Sequence, residues 1–287
     1  MSTWQVSDKR IMVTGATSGI GRETVRGLAR RGAEIIAVGR DEKKCRNTVQ
    51  EIHEITGNDT AEYFVADLSV QQEIRDLADA FLSKYHTLDV LLNNAGAVFA
   101  SRQESEDGLE MTLALNHLNY FLLTNLLLNA LRQSTPARII NVSSDAHRGQ
   151  QVNFEDLHRT RKYSPMPVYG ESKLMNILFT YELDRRLDDD KISVNALHPG
   201  FVASGFGKNN GVFMSLLMSV LHLFARSEQK GAETSIYLAS DPDLQGVSGK
   251  YFFDKAPKDS SPESYDVDTA VRLWDISKEL TGLDATV

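Results

Sequence analysis

Tyr169 and Lys173 are the residues of this chain whose types and spacing point most directly to chemistry, in the run Tyr169-Gly170-Glu171-Ser172-Lys173. On a helix, side chains four residues apart project from the same face, one turn apart. A nearby cation favours the ionised form of a phenol, so Lys173 is expected to lower the pKa of Tyr169 from its usual value of about 10. Such a tyrosine could donate and accept a proton near neutral pH. The same spacing also arises by chance on amphipathic helices, so its meaning depends on the rest of the chain.

A glycine-rich turn lies between the first predicted strand and the first predicted helix. It reads Thr14-Gly15-Ala16-Thr17-Ser18-Gly19-Ile20-Gly21. Glycines let the backbone turn tightly and approach a pyrophosphate, which the free N–H groups and dipole of a helix N-terminus attract. The spacing G-x-x-x-G-x-G differs from the G-x-G-x-x-G fingerprint, and a purely structural turn is the alternative. Its place at the opening of the first strand–helix unit favours nucleotide binding.

The end of the second predicted strand distinguishes between the two nicotinamide cofactors. A chain that binds NAD usually has an acidic residue about 20 residues beyond the glycines, where it contacts the ribose 2′-hydroxyl. Here that position is Gly39, followed by the cation Arg40. Arg40 can pair with a 2′-phosphate, assisted by Lys43 or Lys44, so we predict NADP(H) in preference to NAD(H). Asp41 could contact a hydroxyl instead, but a helix N-cap is its favoured role.

Small or polar residues follow three further predicted strands. They are Asp67-Leu68, Asn93-Asn94-Ala95-Gly96 and Ser143-Ser144. Each is compatible with ordinary turn chemistry, although Ala95 and Gly96 also allow a flat cofactor to lie against the backbone. Asn116 lies in an apolar helical run, where an asparagine is disfavoured and needs a partner. The histidines match neither H-E-x-x-H nor a Cys/His pair, so we predict no catalytic metal.

Strands alternate with helices along the chain, and the strands are continuous apolar runs. This pattern predicts an α/β fold, a single doubly wound domain over residues 1–287 with a parallel seven-stranded sheet flanked by helices. The predicted strands are Arg10–Thr14, Glu34–Val38, Ala61–Ala66, Leu88–Leu92, Arg138–Val142, Ile192–Leu197 and Gly249–Phe253. The predicted helices are Ile20–Arg31, Asp41–Ile55, Val70–Tyr85, Asp107–Leu131, Val168–Leu187 and Tyr265–Leu280.

Two insertions begin at the carboxyl edge of the predicted sheet, where open α/β sheets bind ligands. One covers about 148–166, before the helix of Tyr169, and the other covers 201–226, after the sixth strand. The second contains the apolar stretch Val212–Ala225, which is too short to span a bilayer. We expect both insertions to form walls of a substrate pocket. Core packing and contact with a membrane surface are the alternatives for the apolar stretch.

Composition excludes several classes of partner. The 287 residues carry a net charge of −8, which argues against a nucleic-acid partner. The single cysteine, Cys45, cannot form an intrachain disulfide, which suits a reducing compartment. The first five residues lack the basic and apolar regions of a signal peptide. We therefore predict a cytoplasmic protein with no membrane span, with peripheral contact at membranes as the alternative.

Together these motifs resemble the short-chain dehydrogenase/reductase family across roughly residues 8 to 256. The matching elements, in family order, are the T-G-x-x-x-G-x-G turn, Asp67, N-N-A-G, Asn116, the strand-end serine, Y-x-x-x-K and Pro199-Gly200. Within the family the chain is similar to the retinol dehydrogenase-like branch. The similar stretches are Asn141–His147, Tyr169–Phe179, Asn195–Gly200 and Arg272–Ser277. The resemblance implies a Rossmann-type fold.

The resemblance also implies a role for each matching residue. Tyr169 would be the general acid when a ketone or aldehyde is reduced, and the base in the reverse direction. Lys173 would hold the nicotinamide ribose, and Asn116 would support a proton relay through water to it. Ser144, rather than Ser143, would hydrogen-bond the substrate oxygen. The implied cofactor contacts are Gly15, Thr17, Ser18, Gly19, Ile20, Gly21, Arg40, Asp67, Leu68, Asn94, Ala95, Gly96, Tyr169, Lys173, Pro199, Gly200, Val202 and Ser204.

We therefore expect an NADP(H)-dependent oxidoreductase that interconverts an alcohol with a ketone or aldehyde. The apolar second insertion suggests a small lipophilic substrate of the retinoid, steroid or fatty-carbonyl type. A non-catalytic NADP(H)-binding sensor or scaffold is the alternative. Family members often dimerise through helices that correspond to Asp107–Leu131 and Val168–Leu187, and others are monomers, so the chain is expected to be a homodimer or a monomer.

Overall fold

The computed structural model describes residues 4–7, 9–57, 59–134, 136–187, 191–202 and 226–283. Two features predicted for the second insertion, the cofactor contact Ser204 and the apolar stretch Val212–Ala225, lie outside these residues. Within the described chain, eight strands form one sheet in the order β3-β2-β1-β4-β5-β6-β7-β8. The strands are β1 (Arg10–Thr14), β2 (Glu34–Gly39), β3 (Glu62–Val65), β4 (Val90–Asn93), β5 (Ala137–Val142), β6 (Ile192–His198), β7 (Lys250–Phe253) and β8 (Ala256–Pro257).

The central strands are buried on both faces, as their apolar composition predicts. Ile11, Met12 and Val13 of β1 have no exposed surface, because helices cover the sheet on each side. The pairings from β1 to β7 are parallel, and β1 lies between β2 and β4, so the chain reverses its winding direction there. The predicted doubly wound α/β fold is therefore confirmed.

The predicted count of seven strands was one too few. The additional strand, β8, pairs with β7 in the antiparallel direction. The turn between them has Asp254 at φ 49° and Lys255 at φ 65°, the left-handed conformation that tight hairpins require. A two-residue strand after a turn without glycine carries almost no sequence signal, which explains why it was missed.

Seven helices of eleven residues or more lie in the described chain. They are α1 (Gly19–Ala29), α2 (Glu42–Thr56), α3 (Gln71–Lys84), α4 (Asn119–Gln133), α5 (Pro165–Arg186), α6 (Glu228–Ser240) and α7 (Val267–Thr281). Helices α1, α2 and α6 contribute to the apolar core on one face of the sheet. Helices α3, α4, α5 and α7 contribute to the core on the other face. None of the described helices is both long and apolar enough to cross a membrane.

The predicted helix Asp107–Leu131 begins later and is not uniform. The Glu110 carboxylate accepts hydrogen bonds from the N–H groups of Thr112 and Leu113, so the first helical turn starts at Met111. A π-helical turn over Ala114–Leu118 then leads into α4. This wider turn contains Asn116, the asparagine that an α-helix disfavours.

The helix that carries Tyr169 begins three residues earlier than predicted, at Pro165 rather than Val168. Prolines are compatible with the first turn of a helix, where their missing N–H group would have no partner. The first insertion before it is fixed by a buried ion pair between Arg159 and Glu171 of α5. The Glu171 carboxylate also accepts the N–H of Asn153 at 2.8 Å. This insertion is therefore held against α5 at two points.

Candidate active site

Tyr169, Ser144 and Lys173 converge at the carboxyl edge of the sheet. The Ser144 hydroxyl lies beside the Tyr169 phenol and acts to lower its pKa. The Lys173 amine lies 5.6 Å from the centroid of the Tyr169 ring, and donates a hydrogen bond to the Val142 carbonyl at 3.0 Å. Tyr169 is 8 % exposed and Lys173 is 3 % exposed. A phenol, a hydroxyl and an amine are thus held together in a nearly dry environment.

The two serines at the end of β5 have different partners. The Ser143 hydroxyl donates to the backbone carbonyl of Lys173 at 2.7 Å, and Ser143 is 1 % exposed. The Ser144 hydroxyl instead accepts the N–H of Ala146 at 3.2 Å and lies beside Tyr169. Side chains alternate along an extended segment, so only Ser144 faces the tyrosine.

Burial reverses the pKa shift that the sequence predicted for Tyr169. Desolvation raises the pKa of the Tyr169 phenol above its ordinary value, and the hydrogen bond with Ser144 opposes this only in part. Desolvation also lowers the pKa of the Lys173 amine to about 7. The predicted lowering of the Tyr169 pKa by Lys173 is therefore wrong for the protein by itself. Spacing indicates that two groups are neighbours, but not how little water surrounds them.

Asn116 has the hydrogen-bond partners that an asparagine in an apolar helical run needs. Its side-chain oxygen accepts the N–H of Ala97, and its side-chain nitrogen donates to the Ala97 carbonyl, both at 2.9 Å. The same nitrogen lies 3.0 Å from the Ser172 hydroxyl. A Cβ atom on Gly96 would lie 3.1 Å from the Asn116 oxygen and 3.4 Å from the Lys173 amine. Asn116 therefore fixes the loop after β4 beside Lys173.

The glycine-rich turn is packed against the end of β4. Gly15 has φ 65°, and a Cβ on Gly21 would lie 2.2 Å from the Gly15 carbonyl oxygen, so both positions require glycine. The Asn94 side chain donates to the Thr14 carbonyl at 2.8 Å, and the Thr14 hydroxyl accepts the N–H of Ala95 at 3.0 Å. Asn94 thus holds the turn in place.

The start of α1 suits an anion. Ser18 is the N-cap of this helix, and its side chain makes no capping hydrogen bond. Thr17, Gly19 and Ile20 lie on the same turn. The first N–H groups of a helix have no partner within the helix, and the helix dipole favours negative charge there.

The end of β2 is too crowded for the acidic residue typical of NAD binding. A Cβ on Gly39 would lie 2.7 Å from the Thr17 methyl carbon and 2.9 Å from the Cys45 sulfur. Arg40, the next residue, is exposed. The Asp41 carboxylate accepts the N–H of Lys44 at 3.0 Å, which confirms its predicted role as the N-cap of α2.

The remaining predicted contacts are spread along the same edge. The Asp67 carboxylate accepts the N–H of Ser69 at 2.9 Å, and Leu68 is buried. Gly200 has φ 87°, and a Cβ there would lie 2.7 Å from the Arg226 side chain. Val202 forms a parallel bridge with Arg226, beside the loop that Pro199 begins.

Three residues at this site were not given a role from the sequence. Gly170 lies where α5 crosses the turn after Ser144, and a Cβ there would lie 2.4 Å from the Ala146 carbonyl oxygen. His147 and His198 contact the backbone of the same turn. A glycine inside the Tyr169 motif, and histidines next to two strand ends, were the available signals.

Proteins of a known family are similar to this chain over most of its length. The family model described as short chain dehydrogenase matches residues 9–212. Retinol dehydrogenase 13 of Homo sapiens is 41% identical, over 98% of this chain and 86% of its own length. Retinol dehydrogenase 14 of Mus musculus is 40% identical, over 96% of this chain and 86% of its own length.

Solved structures agree on the fold. A crystal structure of an uncharacterized protein from Mycobacterium paratuberculosis has a TM-score of 0.79 at 32% identity, covering 99% of this chain and 97% of that one. The Pseudomonas aeruginosa RhlG/NADP complex has a TM-score of 0.70 at 24% identity, covering 92% of this chain and 98% of that one. At this lower identity the similarity concerns the fold alone.

Proposed function

Because the chain belongs to the short-chain dehydrogenase family and is an oxidoreductase of alcohols and carbonyls, we propose that it uses NADP(H) to interconvert a lipophilic alcohol with its ketone or aldehyde. The observation that carries the proposal is the convergence of the Tyr169 phenol, the Ser144 hydroxyl and the Lys173 amine, with the amine 5.6 Å from the centroid of the tyrosine ring. When bound, the cofactor supplies or accepts the hydride.

The choice of NADP(H) is supported at the end of β2. An acidic side chain at position 39 would collide with Thr17 and Cys45, whereas the exposed Arg40 is free to approach a 2′-phosphate. The close approaches at Gly15 and Gly21 hold the glycine-rich turn against the end of β4, and the first N–H groups of α1 beside it suit a pyrophosphate.

The proton chemistry is assigned to three side chains. Tyr169 donates a proton to the carbonyl oxygen in reduction and removes it from the alcohol in oxidation. Ser144 donates a hydrogen bond to the same oxygen, where negative charge develops. Lys173 stabilises the phenolate that forms when the proton leaves, and the hydrogen bond to the Val142 carbonyl keeps the amine in position. Asn116 holds the loop at Gly96 and thereby supports the proton path to Lys173.

A lipophilic substrate is supported by apolar side chains exposed near the site. Met166, in the first turn of α5, is 57 % exposed, and Phe201, directly after Gly200, is 48 % exposed. Exposed apolar side chains close to a reactive group are typical of a site for an apolar ligand. The relatives named as retinol dehydrogenases favour a retinoid among the lipophilic classes.

A monomer is supported by the position of α7. Trp274 of this helix lies 4.9 Å from the Phe121 ring of α4 and 5.9 Å from the Phe179 ring of α5. The chain's own helix therefore covers part of the surface through which family dimers form. A homodimer through another surface is the alternative, and sedimentation analysis separates the two.

We place the protein in the cytoplasm, with peripheral membrane contact as the alternative that liposome flotation tests.

The test is NADPH consumption with a panel of aliphatic, steroid and retinoid carbonyls. We expect Tyr169→Phe to lower the rate by at least about a hundredfold, because it removes the proton donor. Tyr181→Phe is the matched control, since Tyr181 is a buried phenol of the same helix that bonds to Ser260 instead. Equal rates for the wild type and Tyr169→Phe on every carbonyl would refute the catalytic assignment. Tight NADPH binding without turnover would instead favour a sensor or scaffold.

A further inference from the structure

The His147 ring is held by two backbone groups, of which one can only accept a hydrogen bond and the other can only donate one. Its Nδ1 atom lies 2.6 Å from the Ser144 carbonyl oxygen, which can only accept. Its Nε2 atom lies 2.9 Å from the N–H of Ser261, which can only donate. The ring must therefore be neutral, with its proton on Nδ1. His147 is fully buried, and its ring packs edge-on against Tyr251 at 5.2 Å.

His198 contacts the next backbone group along the chain. The N–H of Asp145 donates to its Nδ1 atom at 3.2 Å. A neutral ring that accepts at Nδ1 must carry its proton on Nε2, the opposite tautomer to that of His147. His198 stacks on Phe253 with ring centroids 5.2 Å apart and an angle of 18°. The ring orientation is therefore set by β7.

The Ser144 carbonyl and the Asp145 N–H belong to one peptide unit, so the two rings hold its two polar ends. We propose that His147 and His198 are positioning residues that clamp the Ser144–Asp145 peptide unit and so aim the Ser144 hydroxyl at the substrate oxygen. The inference rests on the proposed function, in which Ser144 bonds the substrate. Through the N–H of Ser261, the segment after β8 becomes part of this support.

Burial keeps both rings neutral near pH 7. The pKa of His198 is lowered to about 4, mainly by desolvation; Asp145 opposes this shift, and Lys258, Arg226 and His147 contribute to it. Desolvation lowers the pKa of His147 as well, although its bond to the Ser144 carbonyl opposes this. A protonated His147 would direct an N–H group at the N–H of Ser261, and would lose that bond.

The kinetic test compares variants that keep or remove the clamping atom. His198→Leu removes the acceptor and His147→Leu removes the donor, whereas His198→Asn and His147→Asn retain an amide atom close to the position of Nδ1. We expect each Leu variant to lower kcat about tenfold, with KM for NADPH within about twofold of wild type. The Asn variants should recover part of this loss. Losses of thermal stability with unchanged kcat would mean that the rings have only a structural role.

A second pair of variants avoids cavities in the core. Ser261 has φ −73°, which proline can adopt, and Ser261→Pro replaces the N–H group that His147 accepts with a ring carbon, so this variant removes the bond and displaces the His147 ring. Ser261→Ala keeps this N–H group and removes only the hydroxyl. We expect Ser261→Pro to lower kcat about threefold and Ser261→Ala to leave it unchanged. Equal kcat for both variants would overturn the proposal for His147.

Tautomers provide a readout that does not depend on turnover. ¹⁵N NMR of the wild type should show a protonated Nδ1 in His147 and a protonated Nε2 in His198. If carbonyl turnover is absent but these tautomers are found, the proposed function fails while the clamp remains. If the enzyme is active and either ring has the other tautomer, the clamp is refuted and the proposed function remains.

Discussion

Lys173 should make the folded protein less stable, and replacing it with methionine should stabilise the fold. Burial lowers the pKa of the amine from its ordinary 10.5 to about 7. Between these two values the unfolded chain binds the proton and the folded chain does not, so stability rises as pH increases through this window. From these two pKa values, the cost of Lys173 to folding is about 4 kcal/mol at pH 7 and about 2 kcal/mol at pH 9.

Methionine has a similar length and carries no charge, so Lys173→Met removes this cost. It also removes the hydrogen bond to the Val142 carbonyl, worth about 1 kcal/mol. That carbonyl keeps contacts with the Tyr120 hydroxyl at 3.4 Å and the Asn176 amide at 3.5 Å, so it is not left alone. The net expectation is a gain of about 2–3 kcal/mol in the free energy of unfolding at pH 7.

Urea unfolding of the cofactor-free protein at pH 7, 8 and 9 measures this effect. Between pH 7 and pH 9 the free energy of unfolding of the wild type should rise by about 2 kcal/mol more than that of Lys173→Met. Lys43→Met, which replaces an exposed lysine of α2, should keep the pH dependence of the wild type. A Lys173→Met protein that is less stable than wild type at pH 7, with the same pH dependence, would refute the reasoning from burial.

Three further expectations concern the cofactor, the Ser144 turn and the first insertion. Arg40→Ala should raise KM for NADPH about tenfold and leave KM for NADH unchanged. Arg46→Ala, an exposed control in α2, should change neither of these KM values. Equal changes of KM for both cofactors in Arg40→Ala would contradict the 2′-phosphate contact. Gly170→Ala should lower kcat about tenfold, because its Cβ would lie 2.4 Å from a backbone oxygen. Gly27→Ala is the control and should keep kcat, because its Cβ would lie 2.4 Å from the flexible end of an isoleucine side chain. Glu171→Gln breaks a buried ion pair and should cost about 3 kcal/mol of stability. It should also raise KM for the carbonyl more than KM for NADPH, and equal changes would show that the insertion does not shape the substrate pocket.

The sheet and the meeting of Tyr169 with Ser144 could be predicted because they follow from general rules. Apolar runs such as Arg10–Thr14 form strands with the predicted bounds, since burial on both faces favours apolar residues at successive positions, here Ile11, Met12 and Val13. Parallel strands end at one edge of the sheet, so residues that follow β5 are brought beside the helix that packs over it. The order of the motifs along the chain was therefore sufficient to predict that they meet at one site.

Other features depend on contacts between distant segments, which a sequence does not reveal. The π-helical turn at Asn116 is accompanied by hydrogen bonds to Ala97, nineteen residues earlier. The role of His147 depends on Ser261, which is 114 residues away. The tautomer of each histidine follows from whether its partner is a carbonyl or an N–H group. Only the folded chain determines this.

Burial of the Tyr169–Lys173 pair leads to a prediction about the direction of catalysis. In reduction, the phenol donates its proton and leaves a phenolate, which needs a charged amine beside it. In oxidation, the pair must first have lost one proton, whichever of the two groups holds the remaining charge. Because burial lowers the pKa of Lys173 to about 7, the fully protonated pair predominates below this pH and the singly deprotonated pair above it.

We therefore expect kcat/KM for carbonyl reduction to be flat below about pH 7 and to fall above it, with kcat/KM for alcohol oxidation changing in the opposite sense. Assays from pH 6 to 9 in both directions, with the same cofactor couple, measure this. The residual activity of Tyr169→Phe should lack both pH dependences, because it has no phenol to couple to the amine. Flat profiles in both directions between pH 6 and 8.5 would mean that the pair does not titrate there. Lys173 would then be charged throughout, and its burial would have less influence on its pKa than its contacts with bound ligands.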